Sequence, residues 1–182
     1  LAARAARAFH DFMPIAPVAA EQNRVYRKVA YGPLLDVFFI DMRRYRGPNG
    51  DNLETAEGGN AMFLGRDQIE WLKRELLASR ATWKVIAADM PLSLVVWDNG
   101  KDKKGFEAVS NNEPGAPKGR ELEFAELLGF LKAAKIRNTV WLTADVPYTE
   151  THYYDPTQFY QDVPPARLNL PPAAICVSPS CS

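Results

Sequence analysis

Histidine and cysteine, the side chains on which transition-metal sites rely, are nearly absent from this chain of 182 residues. There are two of each: His10, His152, Cys176 and Cys181. Because zinc and related ions are held mainly by imidazole and thiolate groups, the chain cannot build a complete histidine-rich metal centre from its own residues. The cysteines stand in a proline- and serine-rich end, PPAAICVSPSCS, without the apolar periodicity of a packed element. This pattern predicts a mobile end with free or incidentally paired thiols rather than a pair of metal ligands.

The sequence also lacks an excess of charge of either sign and any long hydrophobic run. Lys plus Arg and Asp plus Glu number 22 each, so the net charge indicates neither nucleic acid nor an anionic membrane as a partner. No apolar run approaches the roughly 20 residues of a membrane-spanning helix. The first residues, LAARAARAFHDF, have no hydrophobic signal core. The chain is therefore predicted to be soluble.

Two catalytic motifs are absent as well. The sequence has neither the glycine-rich phosphate loop of P-loop NTPases nor the G-x-S-x-G turn of serine hydrolases, which argues against both classes. What it does have is length and apolar content, since 47% of the residues are hydrophobic. Such a chain can bury a core of its own and is predicted to form one domain.

Strand-like and helical patterns alternate along that domain. The order of strand, helix, strand, helix and strand, with short connections, predicts a parallel or mixed sheet covered by helices. Gly32-Pro33 joins the first two strands as a hairpin. The predicted helices span 2–13, 66–80 and 120–135, and the predicted strands are VYRKVAY (25–31), LLDVFFID (34–41), WKVIAAD (83–89) and NTVWLTAD (138–145).

Apolar spacing assigns faces to the two longer helices. In the helix over 66–80 the residues predicted to share a buried face are Ile69, Leu72, Leu76 and Leu77, while Trp71 contacts a second side. In the helix over 120–135 the predicted buried residues are Phe124, Leu127, Leu128 and Leu131, with Glu123 and Glu126 in solvent.

The segments between these elements are rich in turn formers. Residues 47–59 are predicted to form a surface loop, and the long stretch over 97–119 is predicted to be a functional loop or lid. After Tyr154 the sequence is rich in proline and poor in pattern, and no regular structure is assigned to it. The predicted domain therefore covers residues 1–162, followed by an irregular tail over 163–182.

Three of the strand patterns end in an aspartate: Asp41, Asp89 and Asp145. The carboxyl ends of parallel strands meet at one edge of a sheet, where ligands usually bind, and carboxylates there suit hard divalent cations. Each of the first two also has a structural alternative. Asp41 can form a salt bridge with Arg43 or Arg46, and Asp89 can cap the turn that follows it.

Arginines follow the first of these strands. Arg43, Arg44 and Arg46 stand within four positions of one another, and guanidinium groups match the oxygens of a phosphate. The same residues can equally form a solvated face. The cluster makes a small α/β domain that binds phosphorylated ligands without turnover one of the possible functions.

Four segments in order carry a resemblance to a known family. They are DVFFIDMRRYRGPNGDN, FLGRDQIEWLKRELLASRATWKVIAADMPLSLVV, FEAVSNNEPGAPKGRELEFAELLGFLKAAKIRNTVWLTADV and HYYDP. Together they resemble the PhoD-type alkaline phosphatases of the calcineurin-like metallophosphoesterase superfamily. The similarity runs from about Ala2 to Asp162 and covers the later part of the family's domain.

The resemblance implies an α/β fold, an αββα sandwich of which this chain holds a part, with a mixed sheet flanked by helices. It implies a multi-metal site of calcium and iron that hydrolyses phosphate monoesters or diesters, so the expected partner is a phosphate ester. Metal ions in such sites lower the pKa of a bound water. The family's early motifs, which supply the first half of the site, are expected to lie before this segment. Family members are commonly exported, so a secreted or periplasmic location is expected.

The resemblance also identifies candidate site residues. LTADVPY is similar to the family's T-A-D-V-H-Y, so Asp145 carries over as a metal ligand, whereas Pro147 stands where the family has histidine. Proline has no side-chain ligand atom, and His152 is the nearest imidazole that could replace it. Arg43, Tyr148 and His152 are the candidate substrate-binding residues, and no catalytic group is assigned. A catalytically inactive relative that keeps the scaffold is the alternative to an active phosphatase.

Overall fold

The computed structural model of the chain describes residues 2–15, 24–92, 107–111, 113–144, 150–153 and 175–178. Its helices are α1 (Ala2–Phe12), α2 (Arg66–Ala78) and α3 (Glu121–Ala133), with a short 3-10 helix at Gly59–Ala61. Its strands are β1 (Arg27–Tyr31), β2 (Leu35–Phe39), β3 (Trp83–Ala87), β4 (Thr139–Leu142), β5 (Glu150–Tyr153) and β6 (Ile175–Ser178). The helices and the first four strands lie within the predicted ranges.

The six strands form one mixed sheet in the order β1-β2-β3-β4-β6-β5. β2, β3, β4 and β6 run parallel, while β1 and β5 pair antiparallel at the two edges. The predicted hairpin is confirmed, with Gly32 at a φ of 70° in its turn, a conformation that glycine adopts without strain. The predicted mixed sheet is confirmed as well.

Two strands were not predicted from the sequence. β5 follows the last predicted strand, and β6 lies inside the stretch over 163–182 that is predicted to be irregular. For residues 175–178 that prediction is wrong, and so is the prediction of a mobile end around Cys176, whose backbone pairs with Trp141 and with His152. A four-residue strand is too short to show a period of its own in the sequence. Its place in the sheet comes from pairing with β4 and β5, which lie elsewhere in the chain.

One face of the sheet is buried under α2 and α3. Phe38, Ile86 and Trp141 are neighbours in register across β2, β3 and β4 and are fully buried. The Trp141 ring lies 5.9 Å from that of Phe124 on α3, and Leu72 of α2 belongs to the same apolar core. This core explains why β2, β3 and β4 form strands, since their alternate residues fill the space beneath the two helices.

The helix faces agree with the predictions except at two residues, Leu77 and Glu123, and in part at Glu126. Ile69, Leu72 and Leu76 of α2 are buried, as are the four predicted apolar residues of α3, but Leu77 is 64% exposed. Leu77 follows Leu76 directly, so the two side chains point in directions about 100° apart on the helix. Trp71 is buried on the second side, 4.8 Å from the ring of Tyr26. The second exception, Glu123, is buried and belongs to the site described below.

The other face of the sheet is apolar but open to solvent. We call it the open face and define it by Val29, Tyr31, Phe39, Trp83 and Leu142, whose exposures lie between 41% and 75%. These side chains alternate along the strands with the residues of the core. Strands with apolar residues on both sides are typical of a sheet buried on both faces. No helix in the described part of the chain is both long and apolar enough to cross a membrane.

Candidate functional site

The candidate site lies where β2 and β3 end. Backbone hydrogen bonds continue for one residue past the strands, from Ile40 N to Ala87 O at 3.1 Å and from Ala88 N to Leu142 O at 2.8 Å. Asp41 and Asp89 come next in the chain, so both stand at the same carboxyl-terminal edge of the sheet. This is the edge predicted to bind ligands.

Two other predicted site residues, Asp145 and Tyr148, lie outside the described residues. His152 is placed by its backbone in β5, opposite Cys176, and its side chain is not among those described. The site can therefore be built from the first two strand ends and from the loops that contact them.

Asp41 holds the turn after β2 rather than forming a salt bridge. Its Oδ1 accepts hydrogen bonds from the backbone N–H groups of Arg43 and Arg44, both at 3.0 Å. The predicted salt bridge with Arg43 or Arg46 is wrong, because the short side chain reaches the N–H groups two and three residues ahead more readily than a guanidinium group. The second oxygen, Oδ2, is buried and has no hydrogen-bond partner.

Gln68 of α2 fixes the backbone of Asp41. Its Oε1 accepts from Asp41 N at 2.7 Å, and its Nε2 donates to Asp41 O at 2.9 Å and to Leu64 O at 2.8 Å. Gln68 is buried, although a glutamine between apolar helix positions has no sequence signal that marks it as a structural residue. It joins α2 directly to the strand end.

Arg43 is held between two carboxylates. Its Nε donates to Asp89 Oδ2 and its Nη1 donates to Glu107 Oε2, both at 2.7 Å. The other oxygen of Glu107 lies 3.8 Å from Nη1 of Arg46. Asp89 therefore pairs with Arg43 instead of capping the following turn, which corrects the prediction of a cap. Its Oδ1 is buried without a hydrogen-bond partner.

These contacts shift the pKa values of both partners. The hydrogen bond from Arg43 lowers the pKa of Glu107 below its ordinary value, against the opposing effect of partial burial. Burial lowers the pKa of Arg43, but the hydrogen bonds and charges of Glu107 and Asp89 outweigh burial and raise it. Arg43 and Glu107 are therefore both charged at neutral pH.

The segment that carries Glu107 is anchored at the N-terminus of α3. Glu121 accepts hydrogen bonds from Asn111 N at 2.9 Å, Lys118 N at 3.1 Å and Ser110 Oγ at 3.1 Å. Arg120, which is fully buried, donates from Nη1 to Ala108 O at 2.9 Å. The described part of the predicted lid over 97–119 is thus fixed by hydrogen bonds to the helix start.

Glu123 performs the same task for the loop before α2. Its carboxylate accepts from the backbone N–H groups of Phe63 at 3.0 Å, Leu64 at 2.5 Å and Gly65 at 3.4 Å. It is only 6% exposed, so the prediction that Glu123 lies in solvent is wrong. Burial raises the pKa of this carboxyl, although the three N–H groups act in the opposite direction.

Glu126 is partly buried and forms ion pairs. Its carboxylate accepts from Arg66 at 2.8 Å and from Lys73, and its side chain is 23% exposed. The hydrogen bond from Arg66 is the largest of the effects that lower its pKa to about 2. The predicted exposure of Glu126 therefore holds only in part.

A cleft of about 900 Å³ opens beside this edge, between α1, α2 and the ends of the first strands. Its walls are mainly apolar, with Phe9, Phe39 and Trp71 among them, and Asp89 also lines it. Asp89 is therefore shared between the cleft and the Arg43 cluster.

The described residues do not by themselves make a metal site. Within the ranges that the structure covers, no three His, Cys, Asp or Glu side chains come together in a way that could hold a metal ion. Asp41 Oδ2 and Asp89 Oδ1 are buried acceptors without partners, which is the oxygen chemistry that hard cations prefer. A complete shell needs further ligands beyond these two.

Comparison with known proteins defines the class. The family model described as PhoD-like phosphatase matches residues 1–170, so the chain belongs to the PhoD-like phosphatase family. Among curated proteins it is similar to alkaline phosphatase D of Bacillus subtilis (strain 168), with 27% identity over 153 residues, covering 79% of this chain and 25% of that protein.

Among solved structures, one described as the structure of PhoD superposes with a TM-score of 0.68 and 20% identity, covering 98% of this chain and 33% of that one. The family resemblance and the α/β fold predicted from the sequence are confirmed. The chain spans a quarter of the curated relative and a third of the solved structure.

Proposed function

We propose that this chain is one part of a metal-dependent phosphoesterase of the alkaline phosphatase D type, to which it contributes Arg43 for phosphate binding and Asp145 for metal binding. The observation that carries the proposal is the family match over residues 1–170. The position of Arg43 at the carboxyl edge of the parallel strands supports it, because ligands of open α/β sheets bind there.

The chemistry of the residues fits an anionic substrate. The N–H groups of Arg43 point at two carboxylates in the structure, and guanidinium groups bind carboxylate and phosphate oxygens in the same planar manner. Asp145 would serve as one ligand of the calcium or iron that the family resemblance implies, with Tyr148 and His152 near the substrate. Metal ions, when bound, supply a Lewis acid and lower the pKa of a bound water.

The open face supports a second part of the proposal. Its apolar side chains, among them Tyr31, Trp83 and Leu142, are suited to a further layer of structure. The chain spans only a quarter to a third of its relatives. We propose that a second sheet, which also brings the remaining site residues, packs on this face.

A chimera tests the proposal. The matching region of alkaline phosphatase D from Bacillus subtilis is replaced by this chain, with and without Pro147→His, and hydrolysis of p-nitrophenyl phosphate and bis(p-nitrophenyl) phosphate is measured with added calcium, iron or manganese. We expect the Pro147→His chimera to hydrolyse one of these esters and its Asp145→Asn variant to be inactive. The chain alone, with or without Pro147→His, should show no turnover.

Two outcomes would count against this function. Metal-dependent turnover by the isolated chain would show that its site is complete, contrary to the proposed second layer. A folded Pro147→His chimera that binds phosphate but hydrolyses neither ester would favour the alternative, an inactive scaffold or a phosphate-binding module.

A further inference from the structure

The guanidinium group of Arg43 is already occupied. Its Nε donates a hydrogen bond to Asp89 and its Nη1 donates one to Glu107, each at 2.7 Å. Phosphate oxygens that bind Arg43 in the planar manner use these same N–H groups. A phosphate ester can therefore reach Arg43 through them only if one of the two carboxylates moves away.

We propose that Glu107 occupies Arg43 in the absence of substrate and is displaced by the phosphate group, so that Glu107 sets the affinity of this anion site. This inference rests on the proposed function, since it takes Arg43 as the phosphate-binding residue. It adds a residue, Glu107, that competes with the substrate.

The two carboxylates are not equally free to move. Asp89 follows β3 by two residues, and its second oxygen is buried at the sheet edge. The exposed fractions of the two side chains are similar, 40% for Asp89 and 47% for Glu107, but Glu107 has the longer side chain, with one more rotatable bond. Glu107 is therefore the carboxylate that leaves.

Glu107 also has a second cation to move toward. Nη1 of Arg46 lies 3.8 Å from Glu107 Oε1, and the Arg46 side chain is only 11% exposed, stacked over the ring of Phe63 at 5.5 Å. A short rotation toward Arg46 keeps the Glu107 charge paired while it vacates Nη1 of Arg43. Exposed ion pairs are weak, so the exchange requires little free energy.

The segment beyond Glu107 remains in place during this exchange. Hydrogen bonds from Arg120 to Ala108, from Asn52 to Val109 and from Ser110 and Asn111 to Glu121 fix the backbone immediately after Glu107. Only the Glu107 side chain has to turn. The proposed exchange thus involves one side chain, next to a stretch of backbone over 108–111 that hydrogen bonds fix.

The test compares Glu107→Gln with the wild-type chain. The substitution keeps the length of the side chain and removes its charge. Glu113→Gln is the matched control, because Glu113 lies in the same part of the chain, is 46% exposed and pairs with Lys118 at 3.1 Å. Arg43→Ala identifies binding that depends on Arg43, and melting temperatures verify that all variants fold.

Two readouts are needed. The first is the rate at which phenylglyoxal modifies Arg43, followed by mass spectrometry of the peptide. The second is the affinity for inorganic phosphate, measured by calorimetry. We expect Glu107→Gln to raise both the modification rate and the phosphate affinity about three- to fivefold, the range that an exposed ion pair contributes. Glu113→Gln should change neither, and Arg43→Ala should abolish phosphate binding.

The outcomes separate this inference from the proposed function. If phosphate binds through Arg43 equally well in wild type and Glu107→Gln, the anion site stands and Glu107 is not its competitor. If Arg43 becomes more reactive in Glu107→Gln but phosphate binds to no variant, the phosphate site of the proposed function is wrong. If Arg43 is equally reactive in all variants that retain it, Glu107 does not shield Arg43 and the proposed exchange is wrong.

Discussion

Glu123 gives the sharpest test of the fold around the site, because its two carboxylate oxygens accept different numbers of hydrogen bonds. Oε2 accepts from both Phe63 N at 3.0 Å and Leu64 N at 2.5 Å, whereas Oε1 accepts only from Gly65 N at 3.4 Å. The substitution Glu123→Ala removes all three acceptors from a buried position. Glu123→Gln can keep the carbonyl oxygen at the Oε2 position and lose only the weak contact.

The structure therefore predicts different losses for the two variants. A buried N–H group left without an acceptor costs about 1–3 kcal/mol, so the two short hydrogen bonds set a loss of about 2–4 kcal/mol for Glu123→Ala. Glu123→Gln loses the weak contact and places an amide NH₂ group near Gly65 N–H, for about 1 kcal/mol. Glu113→Ala, at an exposed ion pair, should lose less than about 0.5 kcal/mol.

Urea unfolding measures these differences. With a slope of about 2 kcal/mol per molar urea, typical of a small protein, Glu123→Ala should lower the midpoint by about 1–2 M at pH 7, and Glu123→Gln by about 0.5 M. If the two substitutions were equally damaging, the assignment of both short hydrogen bonds to one oxygen would be wrong. A loss in Glu123→Ala no larger than in Glu113→Ala would refute the buried cap altogether.

The pH dependence of the stability difference between Glu123→Gln and wild type gives an independent test. Burial raises the pKa of Glu123 above its ordinary value of 4.5, despite the N–H groups that lower it. A group that binds its proton more tightly in the folded state stabilises the fold below its unfolded pKa and loses that contribution as pH rises through the folded pKa. Glutamine does not titrate, so the deficit of Glu123→Gln relative to wild type should be larger at pH 4 than at pH 7.

Two further predictions concern the frame around the site. Gly119→Ala should unfold the chain or destabilise it by more than about 3 kcal/mol in urea titration, because at a φ of 57° a Cβ there would collide with Asn52 Oδ1. The control Gly32→Ala, at a φ of 70° in open space, should lose only about 1 kcal/mol. Equal losses in the two variants would contradict the close approach of Gly119 to Asn52. Glu126, with a pKa lowered to about 2, mainly by Arg66, stabilises the fold above pH 4.5 and loses that contribution as pH falls toward 2. Glu126→Gln should therefore be about 1–2 kcal/mol less stable than wild type at pH 7, allowing for the exposure of Arg66, and equally stable near pH 2; a gap that stays constant with pH would exclude the ion pair as its cause.

The sequence predicts those parts of the fold that depend on local periodicity. The faces of α2 and α3 and the alternate burial in β2, β3 and β4 follow from spacings of 3.6 and 2 residues, so Leu72, Phe124 and Phe38 are found without tertiary information. Leu77 shows the limit of this reasoning. Leu76 and Leu77 are adjacent on α2 and both were predicted to be buried, but only the packed structure shows that Leu76 is buried and Leu77 is not.

Apart from Asp41, whose partners lie two and three residues ahead, the contacts of the site that were missed depend on pairs distant in sequence. Glu123 sits where helical spacing indicates solvent, and it is buried because residues 63–65 approach from about 60 positions away. Glu107 meets Arg43 across 64 positions and Asp89 meets it across 46. No window of the sequence contains both members of such a pair, so polar residues at the site were assigned to caps, to salt bridges or to solvent.

The N-terminal turn of α3 unites the two loops that border the site. Glu121 holds the segment after Glu107, while Glu123 holds residues 63–65, which lead into α2 and Gln68. Since Gln68 in turn fixes Asp41, and Asp41 holds the backbone of Arg43, both ends of the Arg43–Glu107 contact connect to one helix start. The anion-binding half of the proposed site is therefore preorganised within the described residues. It follows that no movement of the described loops is needed to bring Arg43 into the proposed anion site.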